Sequence, residues 1–352
     1  MPRVTLKTVA AAVGVSPATV SNAYNRPDQL SAELRARILA TAAELGFAGP
    51  DAAGRTLRMG RADAVGVLLT GRLSYAFSDP YAIEFLAGLT ETVEQRGTSV
   101  VLMPLSYLDG EPVLTAVRQA NVDAMTMLSL PVTHPAGDLA RARGLGLVTT
   151  DMSDDPGASW VAIDDREAGA LVGRHLAGLG HTDVCVIAET NEPAGSPVSV
   201  LAPGAVTDQD YAARLAGLRE SVPGVVTVVS GGHNAVASGR SAAEWLLAQP
   251  VRPTAVVGLS DVLALGALEV LTAADVGVPE QVSVCGFDDL SAAAAHGLTT
   301  IRQPIRQRGR EVGRLLLDPD DPPRQVLLPI ELVTRASTGP VRASAAPGPR
   351  RP

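Results

Sequence analysis

The chain has 352 residues, of which 46% are hydrophobic, 19% charged and 3% aromatic, and its net charge is −8. That length exceeds one ordinary domain, and that composition excludes a largely disordered chain, with cores built from Ala, Val and Leu. The charge is unevenly spread: residues 1–61 carry a surplus of +4 and leave −12 for the rest, so only the head suits a polyanion.

Thr5 is placed to cap a helix running Leu6–Ala12, its hydroxyl accepting from an amide of the first turn. Gly14 then supplies a sharp turn, and Ser16-Pro17 is a second helix start, with a capping hydroxyl followed by a proline at the first helical position. A third helix is predicted from Ser31 to Gly46, with Leu34, Ile38, Ala42 and Leu45 on one face. The first two helices have Ala10, Gly14 and Val20 at their packing positions. This spacing reads as a helix-turn-helix whose second helix enters the major groove of DNA. An αα-hairpin inside an ordinary helical domain is the alternative. At the exposed start of the second helix, Pro17 and Ala18 offer no bidentate hydrogen bond, although Ala18 can touch a thymine methyl. Asn22 is the best polar reader, suited to adenine, with a phosphate contact as its plainer role.

From Ala64 onward short apolar runs alternate with amphipathic segments. Strands are predicted at Val65–Leu69, Ser99–Met103, Ala124–Leu128, Gly146–Thr149, Val184–Ala188, Val225–Val229, Ala255–Leu259 and Val282–Gly286. Helices are predicted at Tyr81–Arg96, Val113–Gln119, Arg166–Leu179, Tyr211–Glu220, Ser238–Ala248 and Val262–Ala274. Repeated βαβ units imply an α/β body of two lobes, each a doubly wound parallel sheet, with ligand at the carboxyl ends of the strands. Glu189–Asp210 reads as a long connection and 339–352 as a Pro-rich disordered tail. Cys185 and Cys285 lie in apolar runs, where buried free thiols are expected and a disulfide remains open. No stretch nears the ~20 apolar residues of a membrane span, and no apolar run of signal-peptide length opens the chain, so a cytoplasmic, nucleoid-associated location with no membrane partner is expected.

The run Val4-Thr5-Leu6, Val13-Gly14-Val15-Ser16, Ala18-Thr19-Val20-Ser21 and Asn25, continuing through Leu45-Gly46-Phe47 to Pro50–Leu57, closely resembles the head of the lac repressor (LacI/GalR) family. The body resembles the same family in order, from Phe77-Ser78-Asp79-Pro80-Tyr81 through Asp164-Asp165-Arg166-Glu167 and Ser260-Asp261. It continues through Gly286-Phe287-Asp288-Asp289 and Thr299-Thr300-Ile301-Arg302-Gln303-Pro304 to Leu332–Thr338. The resemblance implies a helix-turn-helix domain at 1–48, a hinge helix at 49–61 that folds only on DNA, and a periplasmic-binding-protein-like body at 62–338. It implies DNA contacts by Thr5, Ser16, Pro17, Ala18, Thr19, Ser21, Asn22 and Asn25, with Leu57 as a minor-groove wedge between Arg55 and Arg58. One extra residue before Pro50 and the helix-weakening Gly54 depart from the family pattern. In the body it implies an effector site at Asp151, Arg214, Ser260, Asp288 and Gln303. Asn234 stands where some members carry a stacking aromatic, for which Tyr75 and Phe77 are candidate replacements.

The plainer roles are a turn cap for Asp288 and a surface ion pair for Arg214. Asp164-Asp165 resembles a catalytic dyad but reads better as a helix start, and His175 and His181 lack a third partner at metal-ligand spacing. A kinase would need a glycine-rich phosphate loop, and Gly144-Leu145-Gly146 lacks the third glycine and a helix behind it. A plain solute-binding protein would not carry the head. The expectation is therefore a non-enzymatic repressor without cofactor or metal, homodimeric on a near-palindromic duplex operator. A small effector, a sugar or nucleoside, would control it through lobe closure and hinge spacing.

Overall fold

The computed structural model describes residues 4–49, 60–71, 73–108, 110–131, 133–319 and 321–341. It divides into two compact units, Met1–Ala62 and Asp63–Pro352. The expected hinge falls mostly on 50–59, so Arg55, Leu57 and Arg58 lie outside the described residues.

In the first unit, α1 (Leu6–Val13), α2 (Pro17–Asn25) and α3 (Ala32–Glu44) begin at the capping hydroxyls of Thr5, Ser16 and Ser31. Gly14 closes α1 at φ 78°, in the left-handed region, and its amide donates to the Ala10 carbonyl. Its part is the turn, for the residue itself is exposed. Val9, Ala10, Val20, Ala23, Ile38 and Ala42 form the core, whereas Leu45 lies at its margin, 37% exposed.

The second unit starts with β1 (Ala64–Thr70), α4 (Leu73–Ala76) and α5 (Pro80–Val93), then β2 (Ser99–Leu108), β3 (Glu111–Val113) and α6 (Thr115–Gln119). β4 (Ala124–Met127), α7 (Pro135–Ala142), β5 (Gly146–Thr149) and β6 (Ser159–Ala162) complete the first pass through one lobe. α8 (Asp165–Gly178) opens the other, followed by β7 (Asp183–Ile187), β8 (Ser199–Val200), α9 (Gln209–Ser221) and β9 (Val225–Ser230). Then come α10 (Val236–Leu247), β10 (Ala255–Gly258), α11 (Asp261–Ala273), β11 (Ser283–Asp288), α12 (Ser291–Ala295) and β12 (Thr299–Arg302). α13 (Ile305–Leu317) and β13 (Gln325–Leu327) return to the first lobe, and β14 (Glu331–Val333) ends in the second.

The sheet orders are β13-β6-β5-β4-β1-β2-β3 and β14-β12-β11-β10-β7-β9-β8. The backbone therefore crosses between lobes after β6, after β12 and after β13. Both sheets are parallel inside and antiparallel at β3, β8 and β14, so the wholly parallel sheets expected from sequence are mixed at their edges. Val113, expected to start a helix, instead pairs with Ser106. Ser199–Val200 turns part of the expected long connection into an edge strand on β9.

Each sheet is covered on both faces by helices, with apolar clusters on either side. Glycine seams bring helix backbones into contact, as two examples show. A Cβ at Gly169 of α8 would lie 1.8 Å from the Arg214 carbonyl oxygen of α9, and one at Gly88 of α5 would lie 2.0 Å from that of Arg306 on α13. Gly339 and Val341, expected to lie in a disordered tail, are held in place: Gly339 is hydrogen-bonded to His181 and Ser283, and the Val341 amide donates to the Leu179 carbonyl. Residues 342–352 lie outside the description. Among the described residues no helix is long and apolar enough to cross a membrane.

Candidate DNA-reading face and effector cleft

On the head, Ser16, Pro17 and Ala18 are exposed at the N-terminus of α2. The Ser16 and Thr19 hydroxyls lie 2.8 Å apart, and the Thr19 amide donates to the Ser16 hydroxyl at 3.0 Å. Thr5 is exposed and shares a capping box with Thr8. Ser21 does not present its hydroxyl outward: it is 8% exposed and accepts from Asn25 Nδ2 at 3.2 Å. Burial of that face of α2 against the core turns it inward, while Asn25 stays exposed and also donates to the Ser21 carbonyl. Asn22 remains at the surface, where its Nδ2 donates to Gln29 Oε1 at 3.3 Å.

In the body, a cavity of about 100 Å³ lies between the lobes at the carboxyl ends of β1, β4, β7 and β11. That is below the ~300–1,000 Å³ usual for ligand pockets. Of the expected effector residues, Arg214, Asn234 and Asp288 line this cavity. Arg214 is 3% exposed; its Nε donates to Asp165 at 2.7 Å and its Nη1 to the Leu259 carbonyl at 2.7 Å. It lies over the rings of Tyr211 and Phe287, and its Nη1 is 4.0 Å from Asp288. Its partner is thus a buried acid and not a surface one. Asp164 caps α8 through the Glu167 amide, as a helix start should, while Asp165 turns inward to Arg214.

Asp288 ends β11 at φ 121°, a conformation a non-glycine residue rarely adopts, which the surrounding bonds must hold. Burial pushes its carboxyl up to about 7 against the pull of Arg214. Gln303 does not line the cavity: its Nε2 donates to Asp288 at 2.6 Å, so it steadies that acid from behind. Ser260 also lies off the wall. It is 1% exposed, caps α11, and donates to Asn234 Oδ1 at 2.6 Å, so it holds Asn234. Asp151 is buried off the cavity wall, accepting from the Thr150 hydroxyl at 3.3 Å, and burial pushes it up to about 7. Phe77 is 66% exposed and lies off the wall; the Tyr75 side chain lies outside the described residues.

The sequence reading missed most of the acid. Asp79, Glu189, Asp208 and Asp210 also line the cavity, with Tyr81. Burial raises Asp79 to about 6 and Glu189 to about 7, and raises Asp208 and Asp210 as well. Asp79 and Asp208 cap α5 and α9, and that helix-start signal was visible in Asp79-Pro80. Arg308 on α13, 1% exposed, donates to the Tyr81 hydroxyl at 2.7 Å. Carboxyls from both lobes thus share the cavity wall with the Arg214 guanidinium, a setting that favours a ligand rich in hydrogen-bond donors and opposes an anion.

Residues 5–49 match the family model for bacterial regulatory proteins of the lacI family, and residues 174–338 match that for a periplasmic binding protein-like domain. The chain is 37% identical to an HTH-type transcriptional regulator of Mycolicibacterium smegmatis, over 96% of this chain and 97% of that one. The chain belongs to the LacI family of bacterial transcriptional regulators. As a LacI-family member it is a DNA-binding regulator and not an enzyme, and the kinase and solute-carrier alternatives fall away. The lac repressor dimer bound to operator and the anti-inducer ONPF is similar in structure, with a TM-score of 0.74 and 25% identity, covering 96% and 99% of the two chains. A complex of the transcriptional regulator CelR with cellobiose gives 0.63 and 26%, covering 95% and 100%.

Proposed function

We propose that this LacI-family member is a homodimeric repressor of a near-palindromic operator, controlled by an uncharged polyhydroxylated effector in the cleft between its lobes. The observation that carries the effector half is the acid-rich cavity walled by Arg214, Asn234 and Asp288, whose carboxyls accept from hydroxyls while Arg214 donates. A sugar suits this balance better than a nucleoside, because the acceptors outnumber the donors on the wall. The cellobiose held by CelR supports the same class. On the head, the exposed start of α2 supports major-groove reading by Pro17, Ala18 and Asn22, with Thr5, Ser16 and Thr19 toward phosphate. The proposed division is a head at 1–48, a hinge at 49–61 carrying Arg55, Leu57 and Arg58, and a two-lobed body from 62.

Closure of the lobes on effector would change the spacing of the two hinges in the dimer and so the alignment of the heads. The test screens neutral sugars and nucleosides by thermal shift, then measures operator retardation with each binder. Arg214→Ala and Asp288→Ala should abolish the binder's effect on operator affinity. A normal response in both variants would overturn the site.

A further inference from the structure

Arg308 is a buried cation whose charge has no near partner. Its Nε donates to the Val161 carbonyl at 3.0 Å, its Nη1 to Tyr81 and to Gln303 Oε1 at 3.5 Å, and its Nη2 to the Thr150 carbonyl. All four acceptors are neutral; three belong to the first lobe and the fourth, Gln303, to a crossover. Among the described residues no carboxylate stands within ion-pair distance of it. The acids that attract it from farther away are, in falling order, Asp210 and Asp165 at the starts of α9 and α8 in the second lobe, then Asp151 in its own. Asp210 lines the same cavity as Tyr81, whose hydroxyl accepts from Arg308. The first lobe therefore holds a buried cation that acids of the second lobe face across the cavity.

Gln303 joins the two sides. It accepts from Arg308 and donates to Asp288, so one crossover residue touches both the first-lobe cation and the second-lobe effector acid. We propose that Arg308 is the positioning residue that sets lobe closure: with the lobes together, the second lobe's acids supply the counter-charge this guanidinium lacks in its own lobe. Opening the cleft admits water to the acids but leaves Arg308 packed among carbonyls, so the open state is the one with an unanswered buried charge. This rests on the reading that closure carries the effector signal, but it concerns the effector-free protein and needs no ligand to test.

Full-length protein carrying Gln119→Cys on the first lobe and Glu244→Cys on the second, both exposed, is spin-labelled and its interlobe distances read by pulsed EPR. The native Cys185 and Cys285 are buried, which directs the label to the new sites. Arg308→Met, which keeps bulk and removes charge, should shift the closed-to-open ratio toward open by about tenfold or more, as loss of a charged buried partner implies. Arg308→Lys, which keeps the charge and loses the fork, should restore part of the closed population. A folded Arg308→Met protein with wild-type distances overturns the assignment. If that variant does not fold, Asp210→Asn decides instead: it should open the lobes in the same direction, and an unchanged distance distribution overturns the proposal. Operator affinity is measured on the same samples. Opened lobes with unchanged operator affinity would leave the role of Arg308 standing and count against closure as the effector signal.

Discussion

Arg214→Ala tests the cleft most directly, because the structure says what the arginine leaves behind. Asp165 and Asp288, each 5% exposed, would lose their cationic neighbour, and the Leu259 carbonyl would lose its donor. Breaking a buried pair from one side typically costs about 3–5 kcal/mol, and the lost stacking on Tyr211 and Phe287 adds to it. The cost should depend on pH. Burial already holds Asp288 at about 7, and without Arg214 it must rise further. A carboxyl whose folded value lies above its unfolded value of about 4 costs nothing below the unfolded value, and its full cost is reached above the folded one. The gap between wild type and variant should therefore be widest at pH 8 and narrow toward pH 5. Urea titrations followed by the fluorescence of Trp160 and Trp245, one in each lobe, measure it at both ends. A gap below 1 kcal/mol at pH 8, on the order of a surface ion pair, would refute the reasoning, as would one that does not change with pH.

Gly169→Ala should destabilise the body by about 1–3 kcal/mol, because its Cβ meets the Arg214 carbonyl oxygen and must force α8 from α9; an unchanged urea midpoint would contradict that contact. Asn22→Ala should cost about 1–3 kcal/mol at one base pair of each half-site and relax preference there, measured against all four bases at each position. Uniform weakening would assign Asn22 to a phosphate. Leu57→Ala should lower operator affinity and reduce the bend in circular-permutation gels while the body's melting temperature stays constant; an unaltered bend would remove the wedge. The phosphorylated counterpart of any neutral sugar that binds should bind at least ten times more weakly by calorimetry, since its charge would face Asp79, Glu189, Asp208 and Asp210; equal affinity would contradict the acidic reading of the cleft.

What the sequence made legible was local. Thr5, Ser16 and Ser31 announce helix starts because a capping hydroxyl works within its own turn, and all three cap helices in the structure. The longer apolar runs, such as Val65–Leu69 and Gly146–Thr149, are strands because burial on both faces of a parallel sheet leaves a continuous apolar signature. The edge strands β8 and β13, of two and three residues, carry no such signature, since each exists only through pairing with a distant neighbour. α13 was hidden for a different reason: Arg308 stands on its buried face where an apolar residue would complete the period, and a charged residue there breaks the apolar signature of the helix.

The same conflict explains the cleft. Arg214 and Asp288, which sit in recognisable motifs, line the cavity, while Ser260 and Gln303, also in motifs, lie off its wall and bond to residues on it, because spacing places a residue near a site without fixing its side chain. Asp79 and Asp208 each have a complete local account as helix caps, and nothing in their neighbours calls for a second role. Their meeting on one cavity wall arises only because the two lobes bring caps from different helices together. An acid at a helix start is stabilised by the amides of its own first turn, which lets it remain charged while buried where an isolated acid would not. At Asp79 and Asp208 the helices that build the lobes thus also supply acids to the cavity wall, so architecture and electrostatics come from the same residues there, whereas Glu189 and Asp288 reach the wall from strand ends.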